Sequence, residues 1–235
     1  MVKVTGVLNE AEAIAEQERL RPLMHAKGIG VGDVRRIAGV DVAYAKDESV
    51  VAGAVVVLDA VTRQVVDSAS AVRPVEFPYV PGLLAFREIP ALLDALAALS
   101  CQPDAIVCDG YGVAHPRRFG LACHLGVLTH MPTFGVAKSA FIGTFLQPGR
   151  ERGDWSELTD GGETIGRVLR TQRETKPVFV STGHRIDLDA ATELTLSLAA
   201  DYRLPETTRQ ADQLSRHALA ATQGTSRTDG RWDPA

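Results

Sequence analysis

The sequence predicts a single α/β domain built on a mixed β-sheet with helices against it, and two patterns carry this prediction. The first is a set of valine-rich runs separated by short polar turns, which is typical of an antiparallel meander; the runs occupy residues 34–45, 50–60 and 64–75. The second is an apolar run at 105–110, a helical stretch near 120–130 and an apolar run at 132–138. Such a β-α-β unit favours two parallel strands joined by a right-handed crossover.

Helices and further strands complete the predicted domain. Asn9 is a plausible cap for an amphipathic helix over 8–26, and a second helix is expected from Gly82 to about Leu99, kinked or restarted at Pro90. A polar, glycine-rich loop is expected at 147–163. A hairpin (164–171 and 176–181) and two helices (189–200 and 206–222) follow. A meander, a helix and then β-α-β is the order of the ribonuclease H-like fold. We therefore predict one domain over 1–222 and a flexible tail over 223–235.

Composition limits the class of protein to which this chain can belong and the cellular compartment expected for it. The chain has 235 residues, 45% hydrophobic and 23% charged, with a formal net charge of −4. This is ordinary for a soluble globular protein, and the negative charge argues mildly against a nucleic-acid partner. The first twenty residues lack a signal-peptide pattern, and no run is long enough to span a bilayer. We expect a cytoplasmic protein without a membrane partner. Cys101, Cys108 and Cys123 form no CxxC pair and suggest small residues packed in a reducing environment.

Four carboxylates lie in apolar or helical surroundings where a charge needs compensation. Asp41 interrupts a predicted buried strand, Asp109 ends another, Glu88 falls in the intervening helix and Asp212 in the last helix. In the predicted sheet Asp41 and Asp109 stand side by side, Glu88 leans over them and Asp212 arrives from the C-terminal helix. Hard oxygen ligands with few competing Cys or His favour magnesium. The alternative for each residue is a strand-end cap, a paired surface group or a solvated helix face.

A cation and a glycine-rich loop lie close to these acids in the predicted topology. Lys138 closes a strand next to Asp109, where it could hold a phosphate, although a lysine extending from a sheet end is an equal alternative. The loop 110–120 has three glycines, which allow close approach of a ligand. His115, Arg117 and Arg118 in this loop fit phosphate or base contacts, but an ordinary loop histidine and paired surface arginines explain them equally well.

A stiff apolar turn precedes the second predicted helix. It consists of Pro78, Tyr79, Val80 and Pro81. A rigid wedge of this kind can enter a duplex and hold open the space left by an extruded base. Judged on these residues alone, a proline-rich corner with a locally packed tyrosine is the simpler interpretation.

Six segments of the chain, in order, resemble the endonuclease V family. They are GVDVAY (39–44), PYVPGLLAFRE (78–88), DGYGVAHPRRFGLACHLGV (109–127), GVAKS (135–139), VSTGHRIDL (180–188) and LPETTRQAD (204–212). The resemblance spans about residues 30–215. It implies a ribonuclease H-like, magnesium-dependent DNA repair endonuclease, with Mn²⁺ as a possible substitute. Such an enzyme recognises deoxyinosine and cuts the second phosphodiester bond on its 3′ side, leaving a 3′-hydroxyl and a 5′-phosphate.

The resemblance also implies roles for individual residues. Asp41, Glu88 and Asp109 match the metal-binding acids, Asp212 matches a fourth catalytic position, and Tyr79 matches the wedge tyrosine. His115 and Lys138 match residues near the scissile phosphate. Ser139, beside Lys138, is expected to contact phosphate along with Arg117 and Arg118. The lesion pocket, built largely from backbone groups, falls on Gly82, Leu84, Gly110, Gly112, Gly120 and Leu121.

The chain departs from the family pattern at two places, and two other functions stay open. The departures are Ala140 and Phe141, where the family often has a basic residue and a leucine; Asp212 matches the fourth catalytic position, which is a histidine in some members. The alternatives are an inosine-directed endonuclease of single-stranded RNA and a non-catalytic nucleic-acid-binding module. Retention of all four acids disfavours the module.

A zinc site is not expected, since the cysteines and histidines lack the usual ligand spacing; these residues are Cys101, Cys108, Cys123, His124 and His130. A monomer fits a task on one strand of a non-palindromic site.

Overall fold

The computed structural model describes residues 9–223 and assigns its strands to one nine-stranded sheet. The strands are β1 (Arg36–Tyr44), β2 (Val50–Asp59), β3 (Val65–Pro74), β4 (Ala105–Asp109), β5 (Thr133–Ala137), β6 (Thr144–Phe145), β7 (Trp155–Asp160), β8 (Glu163–Leu169) and β9 (Val178–His184). Their order across the sheet is β3-β2-β1-β4-β5-β9-β8-β7-β6.

The first half of the sheet has the predicted ribonuclease H-like arrangement. Strands β1, β2 and β3 form an antiparallel meander, and β1, β4 and β5 run parallel to one another. The carboxyl ends of β1, β4 and β5 therefore meet at the same edge of the sheet. The second half, from β9 to β6, is antiparallel and continues the sheet beyond β5.

Five α-helices cover the sheet. They are α1 (Glu10–Leu20), α2 (Ala85–Ala97), α3 (Leu121–Thr129), α4 (Leu188–Leu198) and α5 (Glu206–Gln223). The predicted cap of α1 is confirmed, because the Asn9 side chain accepts from the Glu12 amide and Glu12 bonds back to the Asn9 amide. Helix α2 begins three residues later than predicted and runs on through Pro90 as one element. Within residues 9–223, every helix is too short or too polar to cross a membrane.

Apolar residues on both faces of the sheet form two cores, and strand β2 is buried on both faces, which is why it reads as a nearly continuous valine run. On β2, Val55 and Val57 face the core shared with α2 and α3, whereas Val56 and Leu58 face the core that includes residues of α4 and α5. Helix α5 packs directly on β1, since a Cβ on Gly39 would lie only 2.2 Å from the Thr207 carbonyl carbon. This close approach brings the helix that carries Asp212 against the strand that carries Asp41.

The structure adds two strands that were not predicted, β6 and β7, ends α1 at Leu20 rather than near residue 26, and agrees with the other predicted elements within a few residues. The segment 147–163, expected to be a loop, contains β7, which pairs antiparallel with β8. Its polar residues mislead because β7 belongs to the periphery of the sheet, where one face can stay in water. The predicted flexible tail was 223–235; Gln223 is the last residue of α5, and the remainder of the tail lies outside the described residues. The three cysteines are free thiols, with Cys108 and Cys123 buried.

Candidate functional site

The carboxyl ends of the parallel strands bring together two of the predicted acids and the predicted lysine. Val40 pairs with Cys108 in the β1–β4 register, so the next residues, Asp41 and Asp109, are neighbours. Asp109 in turn pairs with Val136 on β5, two residues before Lys138. The Lys138 Nζ lies 2.6 Å from Asp109 Oδ2. The juxtaposition predicted from the strand ends is therefore present.

Two helices add the remaining acids. Glu88 lies in the first turn of α2, and only 6% of the residue is exposed. Asp212 lies on α5, where its carboxylate pairs with Arg216 one turn later at 2.9 Å. Charge interactions link Asp41 to Asp212, and Glu88 to Asp41 and Asp109. We call Asp41, Glu88, Asp109 and Asp212 the carboxylate cluster.

The cluster holds more negative charge than its surroundings neutralise. Burial, and then repulsion from Asp109 and Asp212, raises the pKa of Asp41 to about 7. Burial, and then repulsion from Asp41 and Asp109, raises the pKa of Glu88 to about 8. Both shifts mean that these acids resist ionisation until positive charge arrives. An arrangement of this kind is typical of a functional site.

Lys138 provides part of that positive charge. Burial opposes its ionisation, but its contact with Asp109 and the charges of Asp41 and Asp212 outweigh burial and raise the pKa of Lys138. Arg203, which donates to the Lys138 carbonyl oxygen at 2.9 Å, fixes the backbone from which the ammonium extends. Lys138 therefore stays charged at the rim of the carboxylate cluster.

The residues present fit a hard divalent cation by their chemistry, although they do not form a closed ligand cage. Within residues 9–223, no group of three or more His, Cys, Asp or Glu side chains is spaced to hold a metal ion as it stands. Asp109 is already paired with Lys138. The fit rests on the donors, which are carboxylate oxygens, and on the burial and mutual repulsion that together raise the pKa of Asp41 and Glu88. A shared cation stays a prediction.

The proline-bracketed turn stands out from the surface beside the cluster. Tyr79 is 65% exposed, Pro78 and Pro81 are exposed, and Val80 is half-buried. The Arg87 guanidinium, which is buried, lies 4.7 Å from the Tyr44 ring centroid and 5.9 Å from that of Tyr79. Tyr79 is therefore largely exposed but has a local contact with Arg87, and its role as a wedge stays a prediction.

A cavity of about 370 Å³ joins this turn to the carboxylate cluster. Its volume is in the range of small-molecule sites. The cavity is lined by Glu88, Asp109, Lys138 and Ser139, by Tyr79, Val80 and Pro81 of the turn, and by the predicted pocket residues Gly82, Leu84, Gly110, Gly120 and Leu121. Gly112 does not line it; this residue packs against the Thr182 carbonyl, and its pocket role stays a prediction.

The predicted phosphate-contacting side chains are held by the protein itself. His115 is buried; its Nδ1 accepts from the Arg117 amide, and its Nε2 lies 3.0 Å from the Gly82 carbonyl oxygen. Burial, and then the charge of Arg117, lowers the pKa of His115 to about 4. Arg118 pairs with Asp160 and Glu163 at 2.8 and 2.9 Å. Phosphate contacts by these residues stay predictions, because each is engaged within the chain.

Comparison with known proteins identifies the family. The family model described as Endonuclease V matches residues 15–213. The chain is 58% identical to endonuclease V of Streptomyces avermitilis over 210 residues, which cover 89% of this chain and 91% of that protein. This chain belongs to the endonuclease V family.

Solved structures agree with the family assignment. The crystal structure of the Streptomyces avermitilis endonuclease V superposes with a TM-score of 0.88 at 56% identity, covering 92% of this chain and 95% of that one. Endonuclease V of Ciona intestinalis, in complex with a DNA containing an inosine followed by a ribo-adenosine, superposes with a TM-score of 0.79 at 28% identity, covering 90% and 98%. Endonuclease V membership indicates that the chain is a nuclease.

The structure adds site residues that the sequence motifs of this endonuclease V did not reveal. Gln17 of α1 is 1% exposed and lines the cavity. Phe141, one of the departures from the family pattern, also lines it and lies 5.3 Å from the Tyr111 ring and 5.6 Å from the His115 ring. The signal for Gln17 was available, since it falls between Ala13 and Leu20 on the buried stripe of α1. A polar residue inside an apolar stripe needs a partner.

Proposed function

We propose that this protein is a magnesium-dependent DNA repair endonuclease that recognises deoxyinosine. It would hydrolyse the second phosphodiester bond on the 3′ side of the lesion and leave a 3′-hydroxyl and a 5′-phosphate. One observation carries the proposal: a single cavity connects an exposed rigid turn at Tyr79 with the carboxylates of Glu88 and Asp109 and the ammonium of Lys138. Lesion recognition and phosphodiester chemistry need this proximity.

Asp41, Glu88 and Asp109 are the residues that would hold Mg²⁺, and Mn²⁺ is a plausible substitute. When bound, the cation supplies Lewis-acid activation of water and stabilisation of the leaving oxygen. The protein's own contribution is to place four acids and one ammonium around one phosphate position. Lys138, anchored to Asp109, would orient the scissile phosphate, and Asp212, less buried than Glu88, would hold or orient the attacking water.

The cavity would receive the lesion base. Tyr79, carried by the stiff turn between Pro78 and Pro81, would fill the space that the extruded nucleotide leaves in the duplex. Gly82, Gly110 and Gly120 present backbone rather than side-chain groups to the cavity. Backbone groups suit hypoxanthine, which differs from guanine by lacking the exocyclic amine, because such groups can accept or donate at fixed positions.

The acidic net charge of −4 does not oppose this function. The negative charge of the site is concentrated in the carboxylate cluster, where the cation would offset it. Cytoplasmic location and a monomeric state accompany the proposal as expectations.

The deciding experiment maps the cut on an end-labelled duplex containing one deoxyinosine, in the presence of Mg²⁺. The expected product is a nick at the second phosphodiester bond 3′ to the lesion, absent from the matched duplex with deoxyguanosine. An intact inosine duplex at excess enzyme and metal would refute the proposal. A matched inosine RNA belongs in the same assay, because the DNA bound to the Ciona protein carries a ribonucleotide after the inosine. Faster cutting of the RNA would move the substrate class to RNA.

A further inference from the structure

Three hydrogen-bond donors converge on one backbone oxygen beside the cavity. The Gly82 carbonyl accepts from Gln17 Nε2 at 3.0 Å, from His115 Nε2 at 3.0 Å and from Arg117 Nη2 at 2.7 Å. A carbonyl oxygen has two lone pairs, so three donors saturate it. We call this arrangement the Gly82 clamp and define it by Gln17, His115, Arg117 and the Gly82 carbonyl.

Gln17 is the member of the clamp that comes from a distant part of the chain. Its amide nitrogen also donates to the Phe119 carbonyl at 3.2 Å, and its amide oxygen accepts from Arg117 Nε. Turning the amide over would set its oxygen against two carbonyl oxygens and its nitrogen against a guanidinium. The contacts therefore determine the orientation of the amide.

The same reasoning fixes the other two donors. His115 Nδ1 accepts from the Arg117 amide, so the neutral ring carries its hydrogen on Nε2 and donates it to Gly82. Arg117 reaches Gly82 with one nitrogen and Gln17 with another. The Gly82 carbonyl, the amide nitrogen and oxygen of Gln17, both ring nitrogens of His115, and Nε and Nη2 of Arg117 all have partners within the protein, so the clamp is built to hold rather than to react.

The carbonyl that the clamp holds belongs to Gly82, the residue at the C-terminal end of the exposed turn. Gly82 follows Pro78, Tyr79, Val80 and Pro81 directly, and the next amide, that of Leu83, donates to the Val80 carbonyl at 2.9 Å. Gly82 has φ +81°, and a Cβ there would lie 2.9 Å from Arg117 Nη2. The clamp therefore closes tightly around the base of the turn.

We propose that Gln17 is a positioning residue that, through the Gly82 clamp, sets the height and direction of the Tyr79 wedge and of the adjoining lesion pocket. The proposal rests on the function proposed above. It assigns to α1 a role in lesion engagement. Methionine or leucine would fill the same stripe between Ala13 and Leu20 without burying an amide, so packing alone does not account for a glutamine at this position.

The test compares Gln17→Met and Gln17→Glu with the wild-type protein, and uses Glu18→Gln as the matched control. Methionine keeps the length of the side chain and loses its hydrogen bonds. Glutamate keeps the shape and the pairing with Arg117 but can no longer donate to Gly82. Glu18 is the next residue of α1 and is exposed. If the methionine variant does not fold, the glutamate variant decides, because its ion pair with Arg117 retains the anchoring of α1.

The first readout is amide hydrogen exchange over 79–86, with the β8–β9 strands as the internal reference. We expect both variants to exchange about tenfold faster over 79–86, the size expected for one or two lost hydrogen bonds, with the reference strands unchanged. Unaltered exchange over 79–86, or an equal increase throughout the protein, would overturn the proposal. The latter would mean that Gln17 supports overall stability only.

The second readout separates binding from chemistry on an inosine duplex. We expect the apparent Kd to rise about tenfold in both variants, while the single-turnover rate at saturating enzyme stays within about threefold of wild type. Unchanged Kd with a reduced single-turnover rate would overturn the proposal. Glu18→Gln should match wild type in both readouts. If wild-type protein neither binds nor cuts the inosine duplex, the proposed function fails, whereas the exchange readout still decides whether Gln17 positions the turn.

Discussion

The carboxylate cluster and the Gly82 clamp, which border the same cavity, differ in whether their polar groups have partners. In the carboxylate cluster, burial and then repulsion between the acids raise the pKa of Asp41 to about 7 and that of Glu88 to about 8. In the Gly82 clamp, which lies beside the same cavity, the carbonyl acceptor and the side-chain groups that surround it are matched within the chain. The titratable group there, His115, is kept neutral by burial.

The difference distinguishes polar groups that are paired within the protein from charged groups that need a ligand to pair with. Matched groups in a buried network make a rigid scaffold. Unneutralised like charges cost stability, so their retention indicates a partner of opposite charge. The clamp is therefore scaffold, and the cluster is where we expect a cation and a phosphate to bind. Four substitutions test this contrast, beginning with the largest expected effect.

Asp41→Asn removes one charge from the cluster while keeping its shape. We expect nicking of an inosine duplex to fall at least about 1000-fold, since an activating cation would lose a central ligand. The midpoint of thermal unfolding without divalent ions should stay equal or rise, because repulsion with Asp109 and Asp212 is relieved. Asp201→Asn, at an exposed position, is the control. Retained nicking would contradict the assignment of Asp41.

Lys138→Met tests the cation that is paired with Asp109 in the carboxylate cluster. The ammonium lies 2.6 Å from Asp109 Oδ2, and we expect its loss to lower kcat by about 100-fold with little change in KM, the size typical of a lost transition-state contact. Steady-state kinetics on the inosine duplex give both constants. Lys176→Met, an exposed lysine, should behave as wild type. A change confined to KM would mean that Lys138 binds substrate without assisting the reaction.

His124 is a second buried histidine whose neutral state can be tested. Its ring contacts the rings of Phe86 and Phe119. Neither ring nitrogen has a hydrogen-bond partner among the described residues. Burial lowers the pKa of His124 to about 4 from its ordinary 6.5. The unfolded chain therefore takes up a proton first as pH falls, and stability is lost between about pH 6.5 and pH 4.

His124→Leu should remove this loss. We expect the free energy of unfolding of the variant, relative to wild type, to increase by about 2 to 3 kcal/mol on going from pH 6.5 to pH 4. Urea unfolding at several pH values measures it. An equal difference at every pH would show that His124 is not kept neutral by the fold.

Gly82→Ala tests the clamp at its centre and should have the smallest effect. A positive φ costs a non-glycine residue roughly 1 to 2 kcal/mol, and the new Cβ would also press on Arg117 Nη2. Gly161→Ala is a matched control, since Gly161 has φ +60° and no atom within 4 Å of an added Cβ. Urea unfolding should show a loss in both variants, and weaker binding of the inosine duplex in Gly82→Ala alone. Equal binding by the two would mean that the clamp does not shape the site.

Much of the fold and the centre of the site could be predicted because they depend on local patterns. The valine runs indicated strands, and an acid within the first predicted strand, with another at the end of the strand beside it, predicted that Asp41 and Asp109 would be neighbours. Strand β7 was missed because its residues, WSELTD, are polar and follow a glycine-rich stretch, and its structure depends on pairing with β8. The clamp was missed because it joins residues 65 positions apart, Gln17 and Gly82, and no local pattern encodes such a contact.

The sequence by itself determined the mixed sheet, the order of its first five strands, the acids at the strand ends and the family. These follow from periodicity and from motifs that are contiguous in the chain. Only the tertiary structure decided which polar groups are paired: Lys138 with Asp109, Arg118 with Asp160 and Glu163, and three donors with the Gly82 carbonyl. The physical reason is that hydrogen bonds and charge repulsion act over a few ångströms, between residues that meet only when the chain is packed.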